Sequence, residues 1–171
     1  MKKLFVIMLM AVTVFECRAQ SELYDFNGDG KKESCKLVAP KTNDETYDCE
    51  GGCKCRIVFS DSKIPSITID NCIGGDPDIL GDLDGNGTIE IGLIPEWWTS
   101  CWSGYYVLTL EGDKWVPFVD SFSIYACDED MQKPLIRRDP KNKGQYIIQY
   151  YDMGDGSLAP TPKSVKRATN K

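Results

Sequence analysis

The chain has 171 residues, with 20 basic and 26 acidic side chains, no histidine and a formal net charge of −6. That length suits one domain with a real hydrophobic core. The acidic balance repels a phosphate backbone, so nucleic acid is not an expected partner. The lack of histidine removes the Ser-His-Asp and Cys-His routes to an activated nucleophile.

The N-terminus opens with Lys2 and Lys3, and residues 4–15 form an apolar run of twelve in which Thr13 is the only polar residue. A bilayer takes about 20 apolar residues to span, so this run reads as a secretory signal rather than a transmembrane helix. No other run approaches spanning length. Cleavage after Ala19 fits the small residues preceding the cut. The alternative is a lipoprotein anchored through Cys17, although Phe15 and Glu16 precede that cysteine. Either way the mature chain is expected to be exported, to the periplasm or beyond. Without residues 1–19 it has 17 basic and 25 acidic side chains, a net charge of −8.

The mature chain then presents DFNGDGKKE, residues 25–33. Counted from Asp25, oxygen-bearing side chains stand at positions 1, 3, 5 and 9 (Asp25, Asn27, Asp29, Glu33), with glycines at 4 and 6. Three segments of strand character follow: SCKLVA, CRIVFS and SITID. The last sets Ile67 and Ile69 on one face and Ser66, Thr68 and Asp70 on the other. Cys35, Cys49, Cys53, Cys55 and Cys72 lie here, and Cys101 and Cys127 bring the mature total to seven. Export favours disulfides among them, and an odd number leaves at least one over. A thiolate zinc site from Cys49, Cys53, Cys55 and Cys72 is the weaker reading, because the spacing lacks paired Cys-x-x-Cys units.

The acidic pattern returns 57 positions later as DLDGNGTIE, residues 82–90, with Asp82, Asp84, Asn86 and Glu90 at positions 1, 3, 5 and 9. IEIGL then groups Ile89, Ile91 and Leu93, and YYVLTL groups Tyr106, Leu108 and Leu110. EGD at 111–113 turns the chain into KWVPFV. Just before this, EWWTSCWSGYY concentrates aromatics. Trp97, Trp98, Trp102 and Tyr105 are the candidate partner-binding residues, since exposed rings anchor sugars and proteins. Core packing is the competing role for such residues, and if 97 and 98 are extended their side chains point to opposite faces. A polar stretch from Asp128 to Gly144 precedes a last strand at about 145–151. The tail, 157–171, with Pro160, Pro162 and four basic residues, is expected to be flexible.

Alternation rather than a helical period dominates, which predicts an all-β fold. The pattern suggests a single domain, 20–156, containing two blade-like antiparallel units at about 25–75 and 82–120, each headed by an acidic loop.

The two loops each keep three carboxylates although the Asn moves from position 3 to position 5. A hard cation such as calcium requires this: oxygen ligands, several of them charged. The backbone carbonyl of position 7, Lys31 or Thr88, would add a ligand, as in other calcium loops, and water would complete the shell. An EF-hand needs a glutamate at position 12, which here is Lys36 or Leu93. The pattern Asp-x-Asp/Asn-Gly-Asp/Asn-Gly-x-x-Glu, running into a strand, instead resembles the calcium loop of FG-GAP/VCBS repeats, the blades of integrin α-chain propellers. The Phe-Gly and Gly-Ala-Pro signatures are missing, and two units cannot close a propeller, which takes about four blades or more. The chain as a whole also resembles small exported proteins of gut Bacteroidetes.

The resulting expectation is an exported, non-catalytic calcium-binding module with an unspecified protein or glycan partner. The alternatives are a purely structural accessory subunit of an envelope complex and, more remotely, a carboxylate-based glycoside hydrolase.

Overall fold

A computed structural model describes residues 22–131, 133–152, 154 and 159–169. The expected signal segment and both of its cleavage positions lie outside them. Among the described residues every regular element is a β-strand, and no helix is long and apolar enough to cross a membrane.

The first acidic loop is closed by an antiparallel bridge between Tyr24 and Glu33, with backbone bonds of 2.8 and 2.7 Å. It leads to β1 (Cys35–Val38). A small hairpin follows, β2 (Thr42–Asn43) and β3 (Asp48–Cys49), and then β4 (Lys54–Phe59) and β5 (Ile67–Asp70). The first sheet has the antiparallel order β1-β4-β5.

The second sheet holds β6 (Pro77–Gly81), β7 (Glu90–Leu93), β8 (Trp102–Glu111), β9 (Lys114–Pro117) and β10 (Phe122–Tyr125). Its order is β10-β8-β7-β6, with β9 pairing the far end of β8 across the expected 111–113 turn. The third sheet is β11 (Ile136–Arg138), β12 (Gln145–Tyr150) and β13 (Thr161–Lys166), in that order.

The second sheet is buried on both faces. Ile91, Leu93 and, less deeply, Leu108 pack with Ile57, Ile67 and Ile69 of the first sheet. Tyr105 and Val107, pointing the other way, pack with Ile124 and with Ile136, Tyr146 and Ile148 of the third. Gly92 makes room for this second layer, since a Cβ there would lie 1.9 Å from the Tyr105 hydroxyl oxygen.

Several expectations need correction. Tyr105 is fully buried and donates its hydroxyl to Asp78 at 3.0 Å, so it belongs to a core and not to a partner surface. Tyr106, its neighbour, points outward and is 39% exposed. YYVLTL has apolar residues for both faces, and the face of Tyr105 and Val107 is the one sealed in the larger core. The tail is not a free extension over 161–166: that segment is β13, paired with β12 over six positions. An edge strand needs only backbone pairing on one side, so it tolerates Pro162 and a charged composition. Strands β2, β3, β6, β10 and β11 were not anticipated either.

Two disulfides form, Cys49–Cys53 and Cys101–Cys127, which takes two ligands from the thiolate-zinc reading. Cys35, Cys55 and Cys72 are free thiols, the last two buried.

Candidate functional site

The two acidic loops fold alike, position by position. The first carboxylate accepts the N–H groups of positions 5 and 6: Asp29 and Gly30 onto Asp25 at 3.0 and 2.8 Å, Asn86 and Gly87 onto Asp82 at 3.1 and 3.0 Å. Position 3 accepts from position 5, Asp29 onto Asn27 and Asn86 onto Asp84, both at 3.1 Å. Position 5 accepts from position 7, Lys31 onto Asp29 at 2.9 Å and Thr88 onto Asn86 at 2.7 Å. The glutamate at position 9 reaches back to the N–H of position 2: Glu33 receives Phe26 at 3.2 Å, and Glu90 receives Leu83 at 2.5 Å. This winding requires left-handed backbone at positions 4 and 6, and the glycines there have φ between +73° and +89°.

The two glutamates are the buried members, Glu33 at 3% and Glu90 at 0% exposure. Burial pushes both carboxyls above their ordinary range, while the N–H of Phe26 and, for Glu90, the N–H of Leu83 and the Thr109 hydroxyl pull the other way. Thr109 donates to Glu90 at 2.8 Å. At Asp29 the Lys31 N–H dominates and lowers the carboxyl.

In the second loop Asp82, Asp84 and Glu90 bring ligand oxygens within 4.8 Å of one another. Three convergent carboxylates, one deeply buried, form a donor set suited to a hard divalent cation. Asp84 also pairs with Arg167 at 3.0 Å, and Arg138 donates to the carbonyls of Leu83 and Asp82 at 2.6 and 2.8 Å. In the first loop Asn27 replaces one carboxylate, and Lys31 stands 3.7 Å from Asp29 in an exposed pair.

The loops also meet. A Cβ at Gly28 would lie 2.9 Å from the carbonyl oxygen of Gly87, so only glycine permits this approach. A third turn adjoins them and was missed in the sequence. Asp139 follows Asp82 by the same 57 positions that separate Asp82 from Asp25. Gly144 stands at position 6 with φ +75°, as Gly30 and Gly87 do at +85° and +89°. The equivalent hairpins are β6–β7 and β11–β12. The ligand pattern is gone, because Lys141 and Lys143 occupy positions 3 and 5. The signal that could have found this turn was the period, not the acids.

The aromatic cluster is divided. Trp102 is half-buried and packs against Tyr125 with ring centroids 5.2 Å apart, beside the larger core. Trp97 is 38% exposed. Trp98 is not extended; its φ is +24°, and its ring lies 6.2 Å from that of Trp97. Tyr47, which sequence reasoning did not single out, meets Trp98 edge to face at 5.4 Å and also has left-handed backbone, φ +52°. The buried Trp98 indole N–H has no acceptor among the described residues. Each left-handed aromatic costs about 1–3 kcal/mol, and a ring pair returns only about 0.5–1.5 kcal/mol. The arrangement is therefore held by its surroundings and not by its own contacts.

No protein-family model, no curated protein and no solved structure matches the chain. The reading of the site thus stands on its own residues.

Proposed function

We propose that this chain is an exported, non-catalytic β module clamped by calcium at its acidic loops, and that it acts by binding a protein or glycan partner. The observation that carries the clamp is the convergence of Asp82, Asp84 and Glu90 within 4.8 Å in a loop whose folding the first loop repeats. Asp82, Asp84 and Glu90 are the ligand side chains of the stronger site, and Thr88 supplies its carbonyl. Asp25, Asn27, Asp29 and Glu33, with the Lys31 carbonyl, form the weaker one. Calcium would supply positive charge to carboxylates that burial disfavours as anions. The role of the ion is structural, because both loops sit at the head of strands and touch each other. Two disulfides support export to an oxidising compartment. The exposed ring of Trp97, with the partly buried Trp98 beside it, supports a partner-binding role.

Thermal unfolding in calcium and in chelator tests the clamp. Sites of this class bind at about 10⁻⁴–10⁻³ M. Calcium at ten times the dissociation constant then adds about 1.4 kcal/mol, which raises Tm by about 3–5 °C. Asp82→Ala lowers stability by itself, because Asp82 caps its own loop. The informative quantity is the calcium-dependent rise, which this variant should lose while Asp139→Asn keeps it. Equal Tm in calcium and in chelator would falsify the clamp.

A further inference from the structure

Two loops from different sheets bring three aromatic rings together. Tyr47, in the β2–β3 hairpin, meets Trp98 at 88°, and Trp98 meets Trp97 at 69°. Tyr47 is 61% and Trp97 38% exposed, so the rings present surface to solvent. Each loop is stapled where it leaves the rings: Cys49–Cys53 lies just after Tyr47, and Cys101–Cys127 just after Trp98. The Asn43 side chain accepts the N–H groups of Glu45 and Thr46 at 3.0 and 3.3 Å, which orders the hairpin tip. Cross-linked loops hold a surface in place before a partner arrives, and that lowers the entropy lost on binding.

The charge around the rings has one sign. Residues 41–50 carry Asp44, Glu45, Asp48 and Glu50 against a single base, Lys41, which pairs with Glu50 at 3.3 Å. These acids, together with Lys41, line a hollow of about 560 Å³ in the hairpin, and none of the three rings is part of that lining. Aromatic faces attract cations through their quadrupole, and arginine does so most often. Acids beside the rings add long-range attraction for the same group. A neutral sugar would stack on the rings and donate hydroxyls to the acids at contact, but it feels no long-range attraction from their charge.

We propose that Tyr47, Trp97 and Trp98, with the acids of the 41–50 hairpin, form a docking surface for a basic segment of a partner protein bearing arginine or lysine. This rests on the reading of the chain as a binding module and names the chemistry of its partner. The cationic head lies against a ring while the acids steer it and hold register.

Isothermal titration calorimetry, run in calcium, tests it with a short peptide of alternating arginine and serine. A glutamate–serine peptide and a neutral linear oligosaccharide serve as comparisons. The arginine peptide is expected to saturate, and to bind more weakly as salt rises. Tyr47→Ala and Trp97→Ala should each weaken it about three- to tenfold, and so should Asp44→Asn combined with Glu45→Gln. Asp44 and Glu45 are exposed, so Tm of the double charge variant should stay unchanged, whereas Tyr47→Ala and Trp97→Ala each lose a ring contact with Trp98 and should lower Tm by about 1–6 °C while keeping its response to calcium. The docking proposal is overturned by an absence of peptide binding in a sample whose Tm responds to calcium. It is equally overturned if the variants bind as well as the parent, or if only the oligosaccharide binds. A sample whose Tm ignores calcium contradicts the clamp instead, and the titration still decides the docking surface.

Discussion

Asp139 occupies in its turn the place that Asp25 and Asp82 hold in theirs, yet its environment is built from neutral donors. The Asn142 side chain donates at 2.8 Å, the Ser164 hydroxyl at 2.7 Å and the Lys141 N–H at 2.8 Å. With the Asn142 amide as the largest cause, these bonds hold the carboxyl down to about 2, below the ordinary 3.8. The native state thus favours the ionised form. The stabilisation is complete above the unfolded value and disappears as pH falls through about 2. Asp139→Asn should therefore lower the urea midpoint most at neutral pH and converge with the parent near pH 2. A gap that stays constant between those limits would show that Asp139 acts by shape alone. At this scale the acidic loops were readable as tight turns, because an Asp or Asn at every second position, beside two glycines, accepts the N–H two positions on. Asp139 was not readable, since Pro140, Lys141 and Lys143 erase that alternation while the period persists. Tyr47 gave no signal at all. Its role depends on meeting Trp98 from 51 positions away in the chain.

At the level of elements, the strands with one apolar face were legible. In β5, Ile67 and Ile69 are buried while Thr68 and Asp70 are exposed. β12 likewise buries Tyr146 and Ile148. Strands with few apolar residues were not: β6 (PDILG) offers only Ile79 and Leu80, one to each core, and β13 (TPKSVK) only Val165. The end of β13 is tied to the second acidic loop and to β8, because Arg167 just beyond it pairs with Asp84 at 3.0 Å and with Glu111 at 2.5 Å. The loop from Pro95 to Cys101 is neither strand nor turn in its composition. Its position depends on the Cys101–Cys127 link, which ties it to the end of β10 across 26 positions. Cross-linking a loop of that size is worth about 3 kcal/mol. Cys101→Ser combined with Cys127→Ser should lower unfolding stability by about that much, measured in urea under non-reducing conditions. An unchanged midpoint would mean that the loop holds its place without the bond.

Across the whole molecule, the described residues form three antiparallel sheets in sequence and the small β2–β3 hairpin, and the turns that start at 82 and 139 lie within the second and third sheets. The all-β class followed from alternation, whereas the second sheet takes β6 from before the loop at 82 and β10 from beyond 120, and the third sheet emerged only from the fold. The tail completes this third sheet. Removal of residues 159–171 would leave β12 with an open edge and take Arg167 away from Phe118, over whose ring it lies at 5.5 Å. Open edges template pairing with other chains, so the truncated protein should unfold at lower urea and self-associate by light scattering. A monomer of parental stability would argue that β13 is dispensable. The two-faced middle sheet carries a further consequence. Its strands are an internal wall, so the boundaries between repeats are not boundaries between independent folding units. A proteolytic cut that freed the first sheet would leave Ile91, Leu93 and Leu108 facing water as one continuous apolar surface. Fragments of this protein would therefore be sticky where the intact chain is not, and the repeats would be lost together rather than one at a time.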